Sequence, residues 1–149
     1  MKITMEQKLI DRIALLHQVA PGSIGDQMDY TVETCDEEKG EYVLRCKTMP
    51  WMRNLHNTLH GGMCATVVDQ AMGFVAYCLM PGPGVAPTVG MQVNYHRPLV
   101  PGEDALIRIR KIAVSKSLIS LSCEAYLASR PDKVCITSSA TYFYKAKTE

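Results

Sequence analysis

The pattern of apolar and polar positions predicts a helix and then a hairpin in the first third of the chain. Four apolar residues recur at helical spacing among charged ones between positions 4 and 17: Leu9, Ile10, Ile13 and Leu16. This spacing predicts an amphipathic helix that Pro21-Gly22 ends, so residues 1–20 are expected to form an N-terminal helical segment. Two segments of alternating polarity, 28–36 and 41–49, then flank Glu38-Lys39-Gly40 and predict a β-hairpin.

The longest apolar stretch, residues 63–80, predicts a buried helix. It follows His60-Gly61-Gly62, stops at Pro81-Gly82-Pro83-Gly84, and is interrupted by Asp69 and Gln70. Because the stretch is apolar on almost every side, a helix formed by it has to be covered by other elements. Its length approaches that of a membrane span, but the polar residues within it favour the central helix of a soluble protein.

The remaining residues alternate in polarity as strands do. Strands are predicted at four places: 85–95, 107–110, 119–127 and 133–144. In the first of them one face would carry Val85, Val89, Met91, Val93 and Tyr95. We expect the four strands to form an antiparallel meander whose buried face covers the central helix. The predicted fold class is therefore α+β, a long helix inside a curved sheet, in a single domain over residues 1–149.

The composition of the chain indicates which partners and which cellular compartment to expect. The chain has 149 residues, of which 47% are hydrophobic and 21% charged, with a formal net charge of +1. Without a basic excess, nucleic acid is not an expected partner. The six cysteines form no C-x-x-C pair, and charged residues interrupt the N-terminus where a signal peptide would be apolar. We therefore expect reduced, buried cysteines, a cytoplasmic protein and no membrane partner.

Gly61 and Gly62 stand where the central helix is expected to begin. The first N–H groups of a helix have no acceptor within it, and the helix dipole favours negative charge beside them. Glycine leaves these groups uncovered, so they could polarise a carbonyl and hold the oxyanion that forms when it is attacked. The alternative interpretation is a tight turn into the helix without a chemical role.

Asp69 lies about two turns into the same helix, among apolar neighbours. A buried carboxylate is costly unless it is partnered or used, and perturbed carboxylates cluster at functional sites. We therefore interpret Asp69 as a catalytic candidate. The alternative is an acid that is satisfied at an interface, or one that faces water beside Thr66 and Gln70.

The sequence gives little indication of a metal site, a cysteine nucleophile or a nucleotide-binding motif. His56 and His60 are four residues apart, but no third ligand follows at a suitable spacing and the two glycines argue against a helix across both, so no metal site is predicted. The cysteines have no neighbouring histidine that would activate a thiolate. G-x-S-x-G, G-x-G-x-x-G and P-loop motifs are absent from the sequence, which disfavours hydrolase-fold, dinucleotide and nucleotide-hydrolysing functions.

Asn54, His60, Gly61 and Asp69 form a spaced motif within residues 54–73. It resembles the motif of the hotdog-fold acyl-CoA thioesterases, in particular their phenylacetate-pathway type, in which an Asn precedes His-Gly-Gly and an acid follows eight residues after the first Gly. The resemblance extends from about residue 25 to the end of the chain. It implies a hotdog fold and the hydrolysis of an acyl-CoA or aryl-CoA thioester to a free acid and CoA.

The resemblance also implies a role for each residue of the motif. The Gly61 N–H would hold the thioester oxygen, and Asn54 and His60 would shape and orient that pocket. Asp69 would either activate a water molecule or attack the acyl carbon itself, two options that the sequence does not separate. Thr88, on the strand after the helix, would assist the water.

Assembly and CoA binding are implied in the same way. The family builds each site from two subunits, so a homodimer would be the smallest active unit and a homotetramer is expected. CoA is part of the substrate, and no separate cofactor is implied. The candidates for contacts with its phosphates are Arg97, Arg108, Arg110 and Lys116, although cations on alternate strand positions usually face solvent. The family commonly has Gly where this chain has Asn57, and Asn tolerates the left-handed conformation that the loop would need.

Two other functions remain open at this point. One is a hotdog hydratase or dehydratase acting on acyl thioesters, which would pair a catalytic His with an acid. His60 lies nine residues before Asp69 and is the candidate for such a pair. The other is a non-catalytic module that binds acyl-CoA.

Overall fold

The computed structural model describes residues 1–146 and confirms the N-terminal helix. Helix α1 spans Met5–Val19, and the Thr4 side chain caps it by accepting a hydrogen bond of 3.2 Å from the Gln7 N–H. Its buried face carries Met5, Leu9 and Ile13, with Leu16 half-buried, whereas Ile10, expected on the same face, is 45% exposed. One further turn of helix, α2, spans Ile24–Gln27 and leads into the first strand.

Helix α3 spans Gly61–Leu79 and packs against α1 and the inner face of the sheet. Val67, Val68, Ala71 and Met72 are buried in the core on this helix. By length and composition α3 is also the one helix within residues 1–146 that could cross a membrane, and half of its most apolar window is buried inside the protein. The prediction of a buried central helix from its all-round apolar pattern is confirmed.

Six strands form one antiparallel sheet in the order β1-β2-β5-β6-β7-β4. The strands are β1 Asp29–Asp36, β2 Glu41–Lys47, β3 Gly84–Val85, β4 Thr88–Tyr95, β5 Asp104–Val114, β6 Leu118–Leu127, β7 Val134–Phe143 and β8 Lys145–Ala146. The predicted hairpin is confirmed as β1 and β2, which pair from Asp29↔Lys47 to Asp36↔Glu41. Alternate residues of β2, β5 and β6 face α3 and are fully buried, so the α+β class is also confirmed.

The predicted four-strand meander is wrong in one respect. Strands β5, β6 and β7 do form a meander, but β4 pairs with β7, from Thr88↔Tyr142 to Tyr95↔Ile136. Each strand has only two edges, and β2 and β6 occupy both edges of β5. Local alternation identifies a strand, whereas its neighbours are decided by long-range pairing, and β4 is therefore placed at the free edge of the sheet.

The predicted shared apolar face of residues 85–95 is confirmed for Met91, Val93 and Tyr95, which pair with alternate residues of β7, but it does not extend to Val85. Val85 belongs to the separate strand β3, which pairs with β8, and the β4–β7 register shifts between Thr88 and Gly90. Of the β4 residues only Val93 is half-buried, while Val89 is 59% exposed and Tyr95 54% exposed. An edge strand with exposed apolar side chains is a ready surface for pairing with another chain.

All six cysteines are free thiols, as expected. Five of them are buried and Cys35 is half-buried. Burial raises the pKa of Cys46 and Cys123 to about 12 and that of Cys64 and Cys78 to about 11. Since the thiolate is the reactive form, these four side chains act as small hydrophobes rather than nucleophiles near neutral pH.

Candidate active site

Asn54 organises the loop that enters α3. Its side-chain Oδ1 accepts hydrogen bonds from the backbone N–H groups of His56 (2.9 Å) and Thr58 (3.1 Å), and its Nδ2 donates to the Thr58 hydroxyl at 2.8 Å. Asn57, at the tip, has a φ of 58°, which confirms the left-handed conformation expected for it. Asn54 therefore holds the shape of the loop that carries the helix start.

Gly61 presents an uncommitted backbone donor at the N-terminus of α3. The His60 ring is the N-cap group, since its Nδ1 accepts a 3.0 Å hydrogen bond from the Gly62 N–H. The Tyr95 hydroxyl donates to the Gly61 carbonyl at 2.7 Å. The Gly61 N–H itself makes no hydrogen bond within residues 1–146, and it lies at the positive end of the helix dipole. It is therefore free to donate to a ligand.

Asp69 is held by two hydroxyl groups on the same carboxylate oxygen. The Thr88 hydroxyl donates to Asp69 Oδ1 at 2.8 Å and the Tyr142 hydroxyl at 2.9 Å. The Tyr142 hydroxyl also lies 3.0 Å from the Asp69 backbone carbonyl. No hydrogen bond reaches Oδ2 within the part of the chain that the structure describes. Asp69 is half-buried, so one oxygen fixes the side chain and the other is available for chemistry.

Tyr142 is a site residue that sequence reasoning missed. It is 1% exposed, and burial together with the neighbouring Asp69 carboxylate raises its pKa far above the usual value. Its hydroxyl therefore stays protonated and acts as a donor to Asp69. The signal was the alternation of β7, which places Tyr142 on the same inward face as Ala140 and Ile136. A buried tyrosine hydroxyl has to find a hydrogen-bond partner.

The two candidate groups lie at opposite ends of one helix segment. Gly61 and Asp69 are eight residues apart, which is about 12 Å along the axis of an α-helix. Strand β4 runs antiparallel to α3 beside them, so that Tyr95 touches Gly61 at one end and Thr88 touches Asp69 at the other. One chain therefore presents two separate groups along its free β4 edge, which we call the Gly61 half-site and the Asp69 half-site. A single acyl carbon cannot touch both of them.

Two of the candidate cations are engaged elsewhere on the sheet. The Arg110 guanidinium forms ion pairs with Glu41 (3.3 Å) and Glu124 (3.7 Å). Arg108 donates to the Tyr126 hydroxyl at 3.3 Å. Both side chains therefore belong to the polar outer face of the sheet, as is usual for cations at alternate strand positions.

Arg97 and Lys116 lie at opposite ends of the sheet. Arg97 follows Tyr95 and donates to the Val134 carbonyl at 2.9 Å, whereas Lys116 lies in the β5–β6 turn, beside the end of β7 at Phe143. The nine steps of β7 between these ends correspond to about 30 Å. One chain therefore does not bring both cations to one phosphate group.

The two histidines of the entry loop have different local contacts. His56 uses its backbone N–H to bond Asn54, and His60 uses Nδ1 to cap the helix. Within residues 1–146, no group of three His, Cys, Asp or Glu side chains is arranged to hold a metal ion. The functional interest of this loop lies in the helix start that it positions.

The sequence and the fold both belong to a known family. The family model described as Thioesterase superfamily matches residues 56–134, more than half of the chain, and the chain belongs to that family. The matched region contains both Gly61 and Asp69. The expected hotdog architecture is confirmed as well, since solved hotdog thioesterases share this arrangement of helix and sheet.

Individual relatives agree with this assignment. Human acyl-coenzyme A thioesterase 13 is 33% identical over 86 residues, a match that spans 57% of this chain and 60% of that protein. The structure of the Escherichia coli PaaI protein, from the phenylacetic acid degradation operon, superimposes with a TM-score of 0.76 at 14% identity, covering 97% of this chain and 99% of that one. A Streptococcus mutans protein bound to acetyl CoA gives a TM-score of 0.70 at 18% identity, covering 90% and 98%.

Proposed function

We propose that this protein is an acyl-CoA thioesterase that hydrolyses an acyl-CoA or aryl-CoA thioester to a free acid and CoA. The observation that carries the proposal is the pair of half-sites: a free Gly61 N–H at a helix start, and an Asp69 carboxylate with one oxygen fixed and the other free. Two similar proteins support it, since one is an acyl-coenzyme A thioesterase and the other was solved with acetyl CoA.

The active unit in this proposal is a homodimer formed through the free edges of β4. Two β4 strands related by a twofold axis pair antiparallel, which sets the Tyr95 end of one strand beside the Thr88 end of the other. Because Tyr95 touches Gly61 and Thr88 touches Asp69, this pairing brings the Gly61 N–H of one subunit towards Asp69 of the partner subunit. It also covers the exposed Val89. Two identical sites form, one at each end of the pair.

The chemistry follows from these two groups. The Gly61 N–H donates to the thioester oxygen and stabilises the negative charge that develops there. In the general-base form of the reaction, Asp69 Oδ2 takes a proton from water, the hydroxide adds to the acyl carbon, the C–S bond breaks, and the proton passes to sulfur. In the nucleophilic form, Oδ2 attacks the acyl carbon, thiolate leaves, and water then hydrolyses the anhydride. Thr88 and Tyr142 hold Oδ1 in either form.

The proposal also covers the helix start, the binding of CoA, the assembly and the location of the protein. His60 and Asn54 fix the helix start, and CoA enters as part of the substrate, so the proposal includes no separate cofactor. In the β4-paired dimer, Arg97 of one subunit lies towards the sheet end that carries Lys116 of the partner subunit, so the two cations could serve one CoA. We further propose a single domain, a homotetramer built from two such dimers, and a cytoplasmic location.

The hydratase alternative gains nothing from the geometry. It would use the imidazole of His60 as a base, but Nδ1 of that ring already accepts the Gly62 N–H at the helix start, and in the neutral ring the other nitrogen, Nε2, then carries the proton. Loss of that contact would uncap α3 at the point where the site is built. Hydrolysis is therefore the reaction that the contacts of His60 favour.

Incubation of the purified protein with an acyl-CoA panel tests the proposed activity. We expect release of one free thiol and one carboxylic acid per thioester consumed, measured with a thiol reagent and by chromatography of the acid. Loss of enoyl-CoA absorbance without thiol release would instead indicate a hydratase. Tight binding across the panel without turnover would indicate a binding module, and either result would overturn the proposal.

A hybrid dimer tests whether two subunits share each site. Asp69→Asn and Gly61→Pro chains, each expected to be nearly inactive alone, are co-expressed with different tags and the hybrid is isolated on both. One of its two sites then combines an intact Gly61 with an intact Asp69, so we expect about half of the wild-type activity per dimer. A hybrid as inactive as its parents would show that the two groups do not act across the interface.

A further inference from the structure

A groove opens between α1 and α3, beside the Asp69 half-site. Its volume is about 250 Å³, and it is bounded by Leu16 of α1, by Gly73, Phe74 and Tyr77 of α3, and by Ala86 before β4. Most of the lining residues are apolar, and the lining also includes Arg12 of α1 and Gln70 of α3. The part of α1 that forms one wall lies outside the sheet and central helix that carry the half-sites.

The groove runs away from Asp69 along one side of α3. Gly73 and Tyr77 follow Asp69 by one and two turns, so the three residues share a face of the helix. Ala86 lies two residues before Thr88, whose hydroxyl holds Asp69. A group attached to a carbon beside Asp69 would therefore enter the groove at Gly73 and extend towards Tyr77, about 12 Å from Asp69 along the helix axis.

The size of the groove limits what can occupy it. An apolar cavity of about 150 Å³ holds benzene, with six carbon atoms, and pockets for whole drug-sized ligands measure about 300–1,000 Å³. A volume of about 250 Å³ therefore fits part of a ligand, of about six to ten carbon atoms. At the far end the Arg12 guanidinium stacks on the Tyr77 ring, 3.4 Å from its centroid, and both side chains line the groove there.

We infer that this groove is the acyl subsite, and that α1 and Gly73 together restrict it to apolar acyl groups of about six to ten carbons. The inference rests on the proposed thioesterase function. Gly73 lines the groove, and a Cβ added there would meet only the Tyr142 ring, at 3.8 Å, an ordinary contact, so this position has room for a side chain. A larger side chain at position 73 would thus extend into the groove without displacing the helix backbone.

Substitutions on the two walls test the inference. Gly73→Leu fills the groove, and the ratio of kcat/KM for octanoyl-CoA to that for acetyl-CoA is expected to fall by about 10- to 200-fold, the range for misfit in an apolar pocket. Gly73→Ala should give a smaller fall in the same ratio. Leu16→Ala widens the other wall and should shift the preferred acyl chain to greater length. Ile10→Ala, on the exposed face of α1, is the matched control and should leave the ratio unchanged.

Binding of the thioether S-octyl-CoA, which cannot be hydrolysed, separates this inference from the proposed activity. We expect it to bind the wild type more tightly than CoA does, and Gly73→Leu to remove most of that difference, whether or not any thioester is turned over. If thioesters are hydrolysed but the octanoyl-to-acetyl ratio and the S-octyl-CoA affinity do not respond to Gly73→Leu, the groove is not the acyl subsite. An equal fall for both substrates would likewise overturn the inference.

Discussion

Asp69→Asn is expected to lower kcat for thioester hydrolysis by about 10²- to 10⁴-fold, the contribution of a positioned acid–base group. The amide has the shape of the carboxylate, and its carbonyl can still accept hydrogen bonds from Thr88 and Tyr142. What is lost is the charged Oδ2, which is needed both to deprotonate water and to attack the acyl carbon. The measurement is kcat and KM for octanoyl-CoA, with thermal unfolding recorded on the same samples to show that the fold is retained.

Asp29→Asn provides the matched control for this substitution. Asp29 is also a half-buried acid, but it lies at the start of β1 and faces Lys47 at 3.8 Å, away from the β4 edge. We expect the kcat of Asp29→Asn to equal that of the wild type. If Asp69→Asn retained full turnover with an unchanged melting temperature, Asp69 would have no part in the reaction and the proposed mechanism would fail.

The elements of this fold were predictable where a local pattern decides them. The all-round apolar stretch 63–80 predicts a covered helix, and the structure places it at the centre. Asn57 adopts the left-handed conformation that its residue type allows. The position of β4 was not predictable in this way, because its alternation is the same whether it lies beside β5 or beside β7. Pairing between residues some fifty positions apart decides that choice.

The candidate site likewise has residues that could be predicted from the sequence and one that could not. The spacing of Gly61 and Asp69 on one helix already fixes their separation at about 12 Å, so sequence and helix geometry together indicate that one chain does not bring both groups to a single acyl carbon. Tyr142 could not be found in that way. It lies 73 residues after Asp69 along the chain, and only the β4–β7 register brings it beside Thr88. The sequence motif contains the two candidate groups, whereas the sheet topology brings together the residues that hold Asp69.

Gly61→Pro is expected to lower kcat by about 10²- to 10³-fold, the effect of removing one oxyanion donor. The substitution deletes the Gly61 N–H, which makes no hydrogen bond within the described chain, so the fold loses no contact. Proline is favoured at the first position of a helix, which Gly61 occupies. His60, with φ −55° and ψ 135°, already has the backbone conformation preferred before proline. The backbone donor can thus be removed without disturbing the helix start.

Gly61→Ala separates the loss of the donor from the added bulk. Alanine keeps the N–H, and a Cβ at this position would come no closer than 3.8 Å to the Tyr95 hydroxyl. We therefore expect Gly61→Ala to retain most of the wild-type kcat while Gly61→Pro loses it, with both proteins melting near the wild-type temperature. Equal losses in the two variants would assign the effect to crowding against Tyr95. Full activity in Gly61→Pro would show that the thioester oxygen is held by a group other than the Gly61 N–H.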